Sequence, residues 1–140
     1  MIKNVIITPL KVFSDQRGEV KHMMKCTDPA FSKFGEIYFS IVLPGKVKAW
    51  HRNKKTTVNY AVVEGNIKLV LYDGKEMKEI LMGEGNYCLV TIPPGIWRGF
   101  QAIGNKKAIV ADLMDMPYDP EDAEKKEPND LIDCWEHEQG

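Results

Sequence analysis

Cysteine is scarce in this 140-residue chain, and the three present, Cys26, Cys88 and Cys134, stand far apart and never form a Cys-x-x-Cys pair. That spacing excludes a disulfide framework and a zinc knuckle, and implies free thiols. An excess of either charge is also missing: 19 Lys+Arg face 20 Asp+Glu, a net charge of -1, so no overall field draws nucleic acid or anionic lipid. No apolar run reaches the length of a membrane span or a signal core, and Met1-Ile2 is followed at once by Lys3-Asn4. The expectation is a soluble, cytoplasmic chain with neither nucleic acid nor membrane as partner. Arginine is rare beside 16 lysines, occurring only at Arg17, Arg52 and Arg98. Its rigid fork suits phosphate or carboxylate better than lysine does, so the places of these three matter.

The rest of the composition, 44% hydrophobic and 28% charged, is that of an ordinary globular protein, and one domain over residues 1–140 is expected. Nine strand-sized runs rich in Val, Ile, Tyr and Phe lie between Gly, Pro, Asn and Asp: 5–10, 19–24, 36–42, 47–51, 58–63, 67–72, 77–81, 87–92 and 107–114. Such spacing predicts an all-β sandwich or barrel, of the jelly-roll or cupin type. Alternation puts Ile67, Leu69 and Leu71 on one face of their strand, and Asp73-Gly74 and Glu64-Gly65 supply tight turns. Weak helical signals occur only at 28–33 and 120–127. The second lies in an acidic stretch with no apolar face beyond Ala123, which is expected as surface loop or short turn. Residues 119–140 are read as an irregular tail whose apolar end, Leu131 to Trp135, docks back on the barrel.

The residues that carry chemistry fall into two spaced groups. Gly45 is followed by five residues and then His51, and Pro93-Pro94-Gly95 by two residues and then Arg98. This layout resembles the two half-motifs of the cupin superfamily, whose metal-binding members supply two His and a Glu from the first and a His from the second. His51 keeps its place here, but the other three positions fall on Asn53, on Thr57 or Val58, and on Arg98, a set that does not suit a transition metal. No metal and no cofactor are expected.

Within the metal-free cupins, Asp15-Gln16-Arg17-Gly18, Ile92-Pro-Pro-Gly-Ile-Trp-Arg-Gly-Phe100 and Tyr118-Asp-Pro-Glu121 are similar, in order, to signatures of the dTDP-4-dehydrorhamnose 3,5-epimerase family. The smaller dTDP-ketosugar 3,4-isomerases share that layout. The resemblance implies a double-stranded β-helix barrel, a nucleotide-linked sugar as ligand, dTDP-sugar above all, and a homodimer in which the early strand and Arg17 reach the partner's pocket. It also implies proton abstraction beside a ketone and reprotonation from the other face, with His51 at the position of the base. An imidazole suits that task, because its pKa lies near neutrality.

Several positions depart from the family pattern. Lys48 stands where the family has arginine, the family's enolate-stabilising lysine falls on Val58, and its acidic tyrosine falls on Asp112. The opposing acid is therefore Asp112, if burial raises its pKa, or Tyr60 on the strand after His51. Each has a plain alternative: Asp112 facing solvent or pairing with Lys106 or Lys107, and Tyr60 as a core tyrosine beside Val58 and Val62. Arg17, Lys48, Arg52, Asn53, Trp97 and Arg98 are the candidate ligand contacts. Against this, Arg17 and Arg52 also fit structural salt bridges, and Trp97 a core position. His22 and His137 are read as surface residues. The leading function is epimerisation of a 4-keto-6-deoxysugar nucleotide. The alternatives are a 3,4-ketoisomerase and a catalytically silent sugar-nucleotide-binding cupin.

Overall fold

The computed structural model describes residues 2–136. Among them are twelve strands and no helix, so none of these residues forms a helix long and apolar enough to cross a membrane. The first sheet runs in the order β1 (Ile6–Pro9), β9 (Cys88–Ile92), β6 (Val58–Glu64), β11 (Ala108–Met114), β4 (Glu36–Val42). The second runs β12 (Ala123–Lys125), β5 (Val47–Asn53), β10 (Trp97–Ala102), β7 (Asn66–Tyr72), β8 (Met77–Gly83). Every pairing is antiparallel, which gives the jelly-roll layering expected from the sequence. A separate hairpin of β2 (Val12–Asp15) and β3 (Gly18–Lys21) pairs with neither sheet.

Period-2 alternation builds the interior. Ile67, Leu69 and Leu71 point into a core shared with Val62, Ile92 and Phe100, while Val70 faces the opposite way. That outer face carries a second apolar cluster of Trp50, Val70 and Trp97, covered by Leu131, Ile132, Cys134 and Trp135. The tail therefore docks as expected. It is fixed by the Trp50 Nε1–H donating to the Pro128 carbonyl at 3.1 Å, and by Gln101 exchanging two hydrogen bonds with the Glu136 backbone. Gly65 and Gly74, with φ of 77° and 99°, occupy the turns assigned to them. The three cysteines are free thiols.

Three expectations are corrected. Residues 28–33 are turn and coil rather than helix, held by short backbone bonds such as Phe31 N–H to the Asp28 carbonyl. The stretch 120–127 is neither helix nor plain loop: 123–125 forms β12, because the open edge of β5 offers its backbone groups a ladder. The irregular tail thus contains a strand. His22 is exposed as expected, edge-on to Phe13, and His137 lies outside the described residues.

An irregularity in β5 decides which of its side chains reach the interior. Arg98 faces His51 across β10 and β5, but Phe100, two residues on, faces Lys48, three residues back. The extra residue in β5 makes a bulge, so Lys48 and His51 share the inner side while Ala49 and Trp50 both turn outward. Ala49 fills the space over Gly99, where an added methyl carbon would lie 2.5 Å from the Ala49 Cβ and 3.0 Å from Trp135 Cζ2.

Candidate active site

The inner face of the second sheet carries a row across three strands, Lys125 on β12, His51 on β5 and Arg98 on β10. Opposite it, the first sheet carries Tyr38 on β4, Asp112 on β11 and Tyr60 on β6, also in direct register. The two rows face one another across a pocket of about 200 Å³ that Lys48, Arg52, Asn53, Ser40 and Tyr118 also line. Lys48 Nζ donates to Ser40 Oγ at 3.0 Å, a bond from one sheet to the other. A larger cavity of about 430 Å³ lies between β1 and residues 22–30, lined mainly by side chains such as Leu10, Met23 and Met24. It brings no such facing rows together, so the smaller pocket is the candidate site.

Arg98 is the hub. Only 6% exposed, it donates from Nε to the Tyr60 hydroxyl at 2.7 Å, and the charge of Asp112 is close enough to act on it. Because Tyr60 accepts that bond, its own O–H proton is free to point elsewhere. Burial, partly offset by Arg98, raises the Tyr60 pKa to about 12. Burial also lifts the Asp112 carboxyl to about 6, against contact with the Tyr38 hydroxyl and the Arg98 charge, and one carboxylate oxygen, Oδ1, has no partner. Tyr38 is pushed well up in turn by burial and by Asp112. His51 goes the other way: burial, then Arg98, Lys125 and Lys48, bring its imidazole down to about 4. It is neutral at physiological pH, and no described residue hydrogen-bonds its ring.

The structure thus brings together His51, Tyr60, Asp112, Lys48, Arg52, Asn53 and Arg98. Asp112 neither faces solvent nor pairs with a lysine; Lys106 pairs with Glu84 instead. Tyr60 is both a core residue and a wall of the pocket. Two candidates are placed elsewhere. Trp97, adjacent to Arg98 in a strand, must face the other side, and it is buried in the outer cluster rather than stacked on a ligand. Arg17 sits in the turn of the β2–β3 hairpin, with its side chain 86% exposed and paired to Asp15 at 2.7 Å, and does not line the pocket of its own chain.

Arg52 and Asn53 reach the pocket but are largely engaged. Arg52 makes a two-pronged ion pair with Glu124, at 3.0 and 2.8 Å, and lies 4.3 Å above the Trp97 ring. Asn53 donates to Asp122 at 2.9 Å. Sequence reasoning missed Tyr38, Ser40, Glu124 and Lys125. Only the register across strands far apart in sequence reveals them. Among the described residues no three His, Cys, Asp or Glu side chains gather as a metal-binding group.

The facing rows make a prediction about stability. Between the ordinary carboxylate value of 3.8 and about 6, native Asp112 keeps a proton that the unfolded chain has lost. Its contribution to stability therefore falls as pH rises through that window, by roughly 3 kcal/mol in all. His51 has the opposite sign: below 6.5 the unfolded imidazole takes a proton that the native one refuses until about 4, so stability rises with pH there. Relative to wild type, Asp112→Asn is expected to gain stability as pH rises from 4 to 6, and His51→Asn to lose it. Urea unfolding at several pH values in this range checks both slopes, and parallel curves for the three proteins would refute them.

A neutral imidazole beside a fixed guanidinium, facing groups that hold protons, equips a cupin to move a proton next to a carbonyl, the work of epimerases and isomerases. Comparison with known proteins agrees. A 1.95 Å crystal structure of a dTDP sugar isomerase from Desulfovibrio desulfuricans superposes with a TM-score of 0.90 at 37% identity, covering 92% of this chain and 87% of that one. The probable low-salt glycan biosynthesis epimerase Agl13 of Haloferax volcanii is 30% identical over 89% of this chain and 86% of its own length. The dTDP-4-dehydrorhamnose 3,5-epimerase of Sulfolobus tokodaii shares the fold, with a TM-score of 0.82 at 24% identity over 96% of this chain and 82% of that one. The pattern of the FdtA family (WxcM-like, C-terminal) matches residues 3–129, and the chain belongs to that family of sugar-nucleotide epimerases and isomerases.

Proposed function

We propose that the protein epimerises a nucleotide-linked 4-keto sugar, a dTDP-sugar by analogy with the Desulfovibrio isomerase. The observation that carries this reading is the placement of His51 on one sheet and of the Tyr38, Asp112, Tyr60 row on the other, so that a sugar ring between them is approached from both faces. His51 takes the proton from the carbon beside the carbonyl. The electron pair moves onto the carbonyl oxygen, where Arg98 holds the resulting enolate. A hydroxyl proton of Tyr60 or Tyr38, or the Asp112 carboxyl proton at pH below about 6, then returns to the same carbon, which inverts it. His51 releases its proton to solvent and the donor is reprotonated, so the cycle closes without a cofactor.

A second reading, 3,4-ketoisomerisation, is favoured by Arg98 itself. With Nε tied to Tyr60, its two terminal nitrogens are left for a pair of neighbouring sugar oxygens. Incubating the protein with dTDP-4-keto-6-deoxyglucose in D2O separates the readings by NMR. Deuterium entering at the carbons flanking an unmoved carbonyl is the expected result. Migration of the carbonyl supports the isomerase, and binding without exchange refutes both.

The working unit in this reading is a homodimer of one-domain cupins, placed in the cytoplasm in keeping with the free cysteines. Among the described residues the β2–β3 hairpin joins neither sheet and exposes Phe13 and Val20, while the edge strand β4 exposes Ile37, Phe39 and Ile41 on the face opposite to the pocket-lining Tyr38 and Ser40. Seating one on the other would bring Arg17 of a second copy to the ligand's diphosphate. Sedimentation equilibrium that finds only monomer at micromolar concentration excludes this arrangement.

A further inference from the structure

The strand that composition disguises as a loop builds one wall of the pocket. In β12, Ala123 lies opposite Asn53, Glu124 opposite Arg52 and Lys125 opposite His51. Opposed residues of an antiparallel pair share a face, with their Cβ atoms about 4.5–5.5 Å apart. Lys125 therefore stands beside His51 on the pocket side, while its sequence neighbours turn outward: Glu124 to the ion pair with Arg52, Lys126 over the Trp97 ring. Backbone bonds in both directions between Trp50 and Lys126, at 2.7 and 3.1 Å, hold this register, and the docked tail comes directly after. Lys125 is thus a positioned lysine, unlike those scattered over the surface.

Charged and titratable groups surround His51: Lys48 on its own strand, Lys125 on β12, Arg98 on β10, Tyr38, Asp112 and Tyr60 from the opposite sheet, and Tyr118 at the mouth, while the Arg52–Glu124 ion pair borders the pocket on the side of Trp97. Glu124 is consumed by Arg52 and Asp112 lies deep against Arg98, which leaves two exposed cations at the rim, Lys48 and Lys125. Lys48 is tethered to Ser40, whereas the Lys125 ammonium has no protein acceptor among the described residues. A sugar whose carbonyl reaches Arg98 on the floor leaves its phosphates at this rim.

We propose that Lys125 binds a phosphate of the nucleotide-linked ligand beside His51, which makes the C-terminal strand a working part of the site. The proposal rests on the nucleotide-sugar reading and adds a consequence to it. Lys125 is one of the charges that suppress protonation of the imidazole. A phosphate seated on it relieves that suppression, so the base becomes a better proton acceptor when its ligand arrives.

The test pairs calorimetric titration with thymidine diphosphate and an NMR titration of His51, whose signal is assigned by its loss in His51→Asn. Lys125→Gln is expected to weaken thymidine diphosphate about tenfold, and to raise the pH at which His51 titrates in the free protein. Lys125→Arg should restore both. Lys126→Gln, the same change of charge pointed the other way, should alter neither. Unchanged affinity in a folded Lys125→Gln protein overturns the proposal and leaves the nucleotide-sugar reading standing, as do equal losses in the two Gln variants, which would mean a long-range charge effect. A wild-type protein that binds no nucleoside diphosphate overturns both together.

Discussion

His51→Asn is expected to lower the rate of solvent deuterium exchange into a 4-keto-sugar nucleotide by about 10²- to 10⁴-fold, the usual contribution of a general base. The fold should survive, because the ring makes no hydrogen bond to a described residue and asparagine is no larger. The wild-type pH profile gives a second handle. A base works above its pKa, and in the free protein that value lies near 4, so kcat/KM should hold steady down to about pH 5 and fall only below it. An ordinary imidazole would put the fall near 6.5. Exchange at the wild-type rate in His51→Asn would show that the histidine is structural and that the pocket uses another base.

Arg98→Met should cost about 10²- to 10³-fold in kcat, in line with loss of one fixed donor to a developing oxyanion. The buried Tyr60 hydroxyl also loses its partner, which is expected to destabilise the fold by roughly 1–3 kcal/mol. Arg98 is one of the influences that lower the Asp112 pKa, so without it the carboxyl should titrate above 6. Carbon NMR of that carboxyl reports the change directly. Arg98→Lys distinguishes charge from geometry: it keeps the cation but not the fork, and most of the kcat loss should remain. Activity within a few-fold of wild type in Arg98→Met would remove the enolate-holding role.

Much of the fold is legible in the chain itself, for reasons that are local. β7 is plain because Ile67, Leu69 and Leu71 alternate with polar or outward residues, and both turns around it carry Gly where φ is positive. β10 is not, because Arg98, Gly99 and Gln101 interrupt its apolar run. All six of its residues are nevertheless buried, the arginine by the pocket and Gln101 by its bonds to Gly45 and Glu136. β12 has no strand propensity of its own and exists because an edge was open to it. The site divides in the same way. His51, Lys48 and Arg98 lie in spaced motifs that a linear reading finds. Tyr38 and Lys125 join them only through pairings between strands some 70 residues apart in sequence. Trp97 takes the core position that the sequence also allows it, because being next to Arg98 in sequence, on a strand, means being on the opposite face.

Gly99 sets an unequal tolerance to change along β10. It needs no unusual backbone angle; what it provides is a gap one methyl group wide, into which the β5 bulge and the ring of Trp135 both settle. Its neighbour Arg98 presents a side chain whose roles a second variant, Arg98→Lys, can separate. Gly99→Ala offers no such separation: it pushes on Ala49, two positions from the base, and on the tail that seats Lys125, while touching no pocket atom. Random mutagenesis scored by activity should therefore mark this position as intolerant, and a reader of such a map would take for a catalytic residue one that has no side chain at all.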